Sequence, residues 1–334
     1  MCRIMRGGIE GRLHRTLASM RTLSIALLTL LVLASGATAQ APAIVGAIYI
    51  TDAGNHRITR ISDMTGAGWT AFGAAGSGPN QFNTPVGIYV DTTGHIYVAD
   101  SGNHRIVRIN DMTGAGWTVL ERAGERRFDQ PVGIVVGGGR IYVTDAGGRV
   151  IRINDMTGAG WTTYGAPAGT LGSARPGQFE TPYGIFFDAG RLYIGDATLG
   201  RIARINDFSG TGWVEYGLPG LIGNLPGQFS RPLGIFIDAG TRIYVADAGN
   251  NRLVRFSDMT GGGWVAFGSR GNRAGQFLTP SGIFVSSTGR IYVVDLGNNR
   301  IVRMNDMTGD GWTAFGAAGA EKDQFALPRS VFVR

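Results

Sequence analysis

The sequence predicts an all-β protein: a six-bladed β-propeller of four-stranded antiparallel blades, its ring closed by a C-terminal strand that completes the first blade. Three observations predict it. A unit of 44 to 52 residues recurs six times. Each unit divides into four short apolar runs separated by turn residues. The chain opens and finishes part-way through a unit, and the two fragments together make a whole one.

The recurrence is marked by three residue types in fixed phase. Six tryptophans, Trp69, Trp117, Trp161, Trp213, Trp264 and Trp312, each follow a turn of the kind Asp111-Met112-Thr113-Gly114-Ala115-Gly116. An aspartate ends six apolar runs, at Asp52, Asp100, Asp145, Asp196, Asp247 and Asp295. A proline opens another run, at Pro85, Pro131, Pro182, Pro232, Pro280 and Pro328. In the second unit the spacing predicts strands over Val86–Val90, Ile96–Ala99, Arg105–Ile109 and Trp117–Leu120. Pro85 suits the first position of a strand, where no ladder donor is required. Ile96–Ala99 is apolar on both faces, as a strand sandwiched between neighbouring sheets should be. The 55 glycines fit many tight turns, and no helical period is long enough to assign.

A solenoid also repeats, but at shorter periods and with atypical ends. Here the last run, Val331–Val333, is a first strand without a following blade, and Ile44–Ile50 is a second strand without a first. Pairing Val331–Val333 with Ala47–Ile50 would close the ring and leave no free ladder edge. The expected organisation is a propeller over 40–334, with repeats near 46–80, 81–127, 128–177, 178–227, 228–275 and 276–324 and a closing strand at 325–334.

Residues 1–39 read as a signal peptide. Arg21 precedes the apolar run Ile25–Ala34, and Ala37-Thr38-Ala39 is a small-x-small cleavage site. Met20 offers a more compact start. The run is shorter than the ~20 residues of a membrane span. Cleavage after Ala39 predicts a periplasmic or extracellular protein. It also removes five arginines, one glutamate and Cys2, leaving a net charge near +3 and no thiol. That weak charge argues against nucleic acid as a partner.

The run Ile96-Tyr97-Val98-Ala99-Asp100-Ser101-Gly102-Asn103-His104-Arg105-Ile106, with Gln81-Phe82-Asn83-Thr84-Pro85-Val86-Gly87-Ile88 before it, resembles the NHL repeat. The resemblance extends over 44–334. It implies a six-bladed propeller of a bacterial, exported type. It does not imply one function: such propellers serve as protein- and RNA-binding platforms, as ligand-sensing outer domains and as an enzyme scaffold. Function has to be read from a site.

The repeated residues are read as structural. Asp52, Asp100, Asp145, Asp196, Asp247 and Asp295 should cap their turns and pair with Arg57, Arg105, Arg149, Arg201, Arg252 and Arg300. A catalytic site needs groups of divergent role, which sixfold recurrence does not supply. The Asp-Met-Thr-Gly turn has one carboxylate where a calcium loop needs several oxygen ligands, so an Asx turn is expected, with the tryptophan packed on a neighbouring sheet. His56 and His104 occupy one turn position, filled elsewhere by Asn251 and Asn299, and His95 belongs to the opposite end. These histidines do not converge on a metal. No metal or cofactor is expected.

The irregular connections carry the individuality. Fourth-to-first connections should share a face with the Asp-x-Gly-Asn-x-Arg turns, and three stand out: the charged Glu121–Arg127, with Arg122, Arg126 and Arg127; residues 165–178, with Leu171 and Arg175; and residues 217–228, with Leu218, Leu221, Ile222 and Leu225. The turns of the third and fourth units are also irregular, since Asp145–Arg149 is one residue short and Leu199 replaces an asparagine. Loops on a rigid scaffold commonly carry function. The expected function is an exported, non-catalytic, monomeric binding scaffold whose partner is a protein, a glycan or another envelope ligand. Two alternatives are a lyase or hydrolase using a channel metal, and an RNA-binding propeller. The enzyme would need acids or histidines on the first strands, which read Val-Gly-Ile-Tyr-Val, Tyr-Gly-Ile-Phe-Phe and Leu-Gly-Ile-Phe-Ile.

Overall fold

The computed structural model describes residues 46–165 and 175–334. They form six four-stranded antiparallel sheets. In the second blade the strands are Pro85–Val90, Ile96–Asp100, Arg105–Ile109 and Thr118–Leu120. The fourth begins one residue after the predicted Trp117, because Trp117 turns its ring into the gap between blades. The first strands of the other blades are Pro131–Gly137, Pro182–Asp188, Pro232–Ile237, Pro280–Val285 and Pro328–Val333, and each opens on its proline.

The last of these pairs with Ile48–Asp52, in the register Ile48↔Val333, Tyr49↔Phe332 and Ile50↔Val331. The C-terminal strand thus supplies the first strand of the blade continued by Ile48–Asp52, Arg57–Ile61 and Thr70–Phe72. It also packs against Pro280–Val285 on one side and Pro85–Val90 on the other. The six first strands form an unbroken circle around an axial channel.

Apolar residues fill the spaces between blades. One such cluster joins Ile48, Ile50 and Ile61 to Tyr292, Val294 and Ile301, with Phe325 at its centre, and five equivalent clusters occupy the other gaps. This explains why the second strands are apolar on both faces: Ile96–Asp100 is buried along its whole length. Near the axis adjacent first strands approach so closely that at this position five of the six carry a glycine with no room for a Cβ. A Cβ on Gly184 would lie 2.2 Å from the Leu233 carbonyl oxygen, and one on Gly87 would lie 2.3 Å from that of Val132.

Candidate functional site

The repeated Asp, Arg and Trp form a clamp in four of the six blades. In the second blade Asp100 is fully buried, and its Oδ2 accepts from Arg105 Nε at 2.7 Å and from Asn103 Nδ2 at 2.8 Å. Its Oδ1 accepts the Asn83 backbone N–H at 2.7 Å. Arg105 extends outward to donate to the carbonyls of Ser77 at 2.6 Å and Gln81 at 2.9 Å, in the loop arriving from the preceding blade. Its guanidinium lies over the Trp117 ring, 5.8 Å from the centroid. Trp117 in turn meets Phe72 of the preceding blade and Phe82 of the incoming loop. Arg57, Arg252 and Arg300 repeat the arrangement on Asp52, Asp247 and Asp295. The aspartate does not cap the backbone of the short 3₁₀ turn that follows it, as the spacing had suggested; it binds asparagine, arginine and the incoming loop instead. Burial pushes the Asp52, Asp100, Asp247 and Asp295 carboxyls above the ordinary carboxylate value, against the pull of these donors.

Blades three and four break the pattern. Their hairpins lack the 3₁₀ turn. Arg149 Nη2 donates to Asp145 at 2.9 Å and to the Arg127 carbonyl at 2.8 Å. Arg201, fully buried, reaches Glu215 at 2.5 Å and lies over Trp213. Asp196 accepts the Glu180 and Thr181 amides.

The turn residue shared by His56, His104, Asn251 and Asn299 has a left-handed backbone and links successive blades. His56 Nδ1 accepts the Thr84 N–H at 3.2 Å; Asn251 Oδ1 and Asn299 Oδ1 accept those of Thr279 and Leu327 at 2.9 and 2.8 Å. His104 instead contacts the Asp129 carbonyl, which requires the opposite ring tautomer. His95 lies at the far end and pairs with Asp91 at 3.1 Å. Among the described residues no group of three acidic, histidine or cysteine side chains could hold a metal ion.

The Asp-x-Thr turns are Asx turns. Asp306 Oδ1 accepts both the N–H and the hydroxyl of Thr308, at 2.8 and 2.6 Å, and these bonds hold its carboxyl below the ordinary value.

Three surfaces distinguish one sector of the ring from another. Arg122–Ala123 and Arg126–Arg127 form a small antiparallel hairpin with all three arginines exposed. Arg126 Nη1 donates to the Trp161 carbonyl at 2.7 Å, across a groove that also contains Glu125, Asp129 and Arg149. The loop after Val214–Gly217 carries Leu218, Leu221, Ile222 and Leu225 at 48, 59, 57 and 63% exposure. Among the described residues the only other large apolar side chain so exposed is Leu327. In the connection between these two, Arg175 is exposed, and Leu171 lies outside the described residues.

The third surface is the axial channel, whose collar and mouth residues sequence reasoning did not single out. At the end away from the loops Tyr89, Phe186, Phe236, Phe284 and Phe332 form a collar, neighbouring rings lying 4.7 to 5.0 Å apart from Phe186 round to Tyr89, with Val135 closing the circuit. At the loop end the residue after each proline lines the mouth. Three blades carry Val86, Val132 and Leu233 there, and the others carry Tyr183, Ser281 and Arg329. The departure is visible in the sequence when the six first strands are aligned on their prolines.

The NHL repeat family profile matches residues 82–109 and 277–304. Each match runs from the buried phenylalanine of an incoming loop through the Asp–Arg clamp to the end of a third strand. The chain carries NHL repeats. A search of curated protein sequences finds no match for this NHL propeller. Solved structures share its fold. A chain of the nidogen/laminin complex is 17% identical with a TM-score of 0.64, over 85% of this chain and 97% of that one. The virginiamycin B lyase of Staphylococcus aureus is 21% identical with a TM-score of 0.50, over 74% and 73%. A catalytically inactive form of that lyase with quinupristin is 20% identical with a TM-score of 0.51, over the same shares.

Proposed function

We propose that this NHL propeller is an exported binding platform that engages a macromolecular partner through its loop face, in the sector between blades two and five. The observation that carries the reading is the loop 217–228, which exposes four large aliphatic side chains on a rigid ring. Apolar side chains clustered at a protein surface mark interaction sites. Leu218, Leu221, Ile222 and Leu225 would be the anchors, and Arg122, Arg126, Arg127 and Arg175 the polar rim. Asn250 Nδ2 and Arg252 Nη1 donate to the Gly223 and Asn224 carbonyls at 2.7 and 2.5 Å, so the loop between the anchors is held before docking. The clamps and interblade clusters keep the loop's two ends fixed, as a preorganised surface requires. The likeness to a chain of a crystallised complex supports a binding role only at the level of fold.

The test compares the wild type with a Leu221→Asp/Leu225→Asp variant in capture from an envelope extract, with thermal unfolding as the control. The platform reading expects specific captured species to be lost from the variant, with unfolding unchanged, because truncating an anchor typically costs about 2 kcal/mol or more of binding, roughly 30-fold. Capture by the variant equal to that of the wild type overturns it.

A further inference from the structure

At the loop-side mouth of the channel three blades place polar side chains, Tyr183, Ser281 and Arg329, where the other three place aliphatic ones. Tyr183 and Arg329 come from the first strands of the fourth and first blades, which stand opposite each other in the ring. The Tyr183 hydroxyl is shut off from solvent, and its proton has no acceptor. Arg329 lines the same mouth and is the donor that reaches the phenol oxygen. The Arg329 Nε is likewise buried and without an acceptor, and no carboxylate pairs with Arg329 among the described residues. Ser281 is already committed, its hydroxyl donating to the Arg329 carbonyl at 2.8 Å.

The residues before the six prolines, at the loop end of the first strands, are Thr84, Gln130, Thr181, Arg231, Thr279 and Leu327. None is acidic; Asp129 and Glu180 lie one residue further out, and their backbone amides are held by Asp145 and Asp196. A guanidinium and a phenol with unmet donors at a partly desolvated mouth favour an anion, since charge-assisted bonds to arginine are strong and shaped for a carboxylate. Beneath them the wall turns apolar, with Ile88, Ile134, Ile185 and Ile235 leading to the aromatic collar. The channel offers about 100 Å³ of free space. At ~10–15 Å³ per water that is room for several waters or one slim organic group.

We propose that the channel mouth is a binding site for a small organic carboxylate, its anionic end held by Arg329 and the Tyr183 hydroxyl and its apolar body directed toward the collar. The site is separate from the loop platform and stands or falls independently of it.

The test is calorimetric titration of the whole protein with benzoate, with benzyl alcohol and inorganic phosphate as comparison probes. Benzoate should bind saturably in the millimolar range or tighter. Benzyl alcohol should bind at least about tenfold more weakly, because it lacks the charge that the arginine addresses. Arg329→Met should abolish benzoate binding, Arg329→Lys should retain part of it, and Tyr183→Phe, which keeps the ring and loses only the donor, should weaken it by about tenfold. Leu221→Asp should leave it unchanged, which separates this site from the platform. No saturable benzoate binding by the wild type, or equal binding by Tyr183→Phe and wild type, overturns the proposal. Phosphate binding as tight as benzoate overturns the assignment of an apolar body.

Discussion

At the residue scale one amino acid type takes two roles of opposite electrostatic sense. The clamp aspartates are buried, and desolvation raises their pKa above the ordinary value. The turn aspartates are exposed, and hydrogen bonds from Thr hydroxyls and amides lower theirs. For Asp306 the sign follows from linkage: a carboxyl depressed in the fold adds stability above its unfolded value, and that stability is lost as pH falls through the depressed value. Thr308→Ala should therefore raise the Asp306 pKa toward 3.8, read by carboxyl NMR titration, and should destabilise the protein at neutral pH but not below that lowered value. The clamp is tested differently. Asp100→Ala strands Arg105, which is only 3% exposed, and removes an acceptor of three hydrogen bonds. Breaking a buried pair from one side costs about 3–5 kcal/mol, so chemical denaturation should show a loss of that order.

At the element scale the first strands define the geometry. Each carries a register irregularity between its proline and the isoleucine or valine three residues on, and in five of the six blades a glycine lies in that interval. The closing strand has Ser330 in its place. The bulge tilts the strand toward the axis and brings neighbouring backbones together, which explains why a Cβ at Gly184 has no space. Gly184→Ala should cost about 3 kcal/mol, the upper end of overpacking penalties. Gly262→Ala, where the nearest heavy atom would be 3.8 Å away and the backbone is ordinary, should be close to neutral by the same denaturation measurement. The fourth strands vary most, because they lie at the rim and answer to the loops that follow.

At the scale of the whole molecule, stability depends on the circle being shut. Six interblade clusters each need both neighbours, and the cluster containing Phe325, Val331 and Val333 also needs the terminal strand. Removing 325–334 would bare the edge of Ile48–Asp52, leave Asp52 without the Ala326 amide and empty that gap. Such a protein should unfold at clearly lower denaturant and self-associate in light scattering. A monomer with an unchanged midpoint would contradict the closure.

Blade number, strand order, ring closure and the pairing of Val331–Val333 with Ile48–Ile50 were legible in the sequence, because a repeat writes the same local rule six times: proline to open, aspartate to end, glycine to turn. The exposed loop 217–228 was legible for the converse reason, as apolar residues without a strand to carry them. The sequence could not show that the repeated aspartate also holds the incoming loop, since the amide that Asp100, Asp247 and Asp295 each accept lies 17 residues earlier. Nor did it disclose which side chains meet in the channel. Tyr183 and Arg329 are 146 positions apart and line one mouth because opposite blades face one axis, and the collar exists because five aromatic side chains from five strands converge on it. Local pattern determines which strands form; only closure determines which of their side chains share an interior.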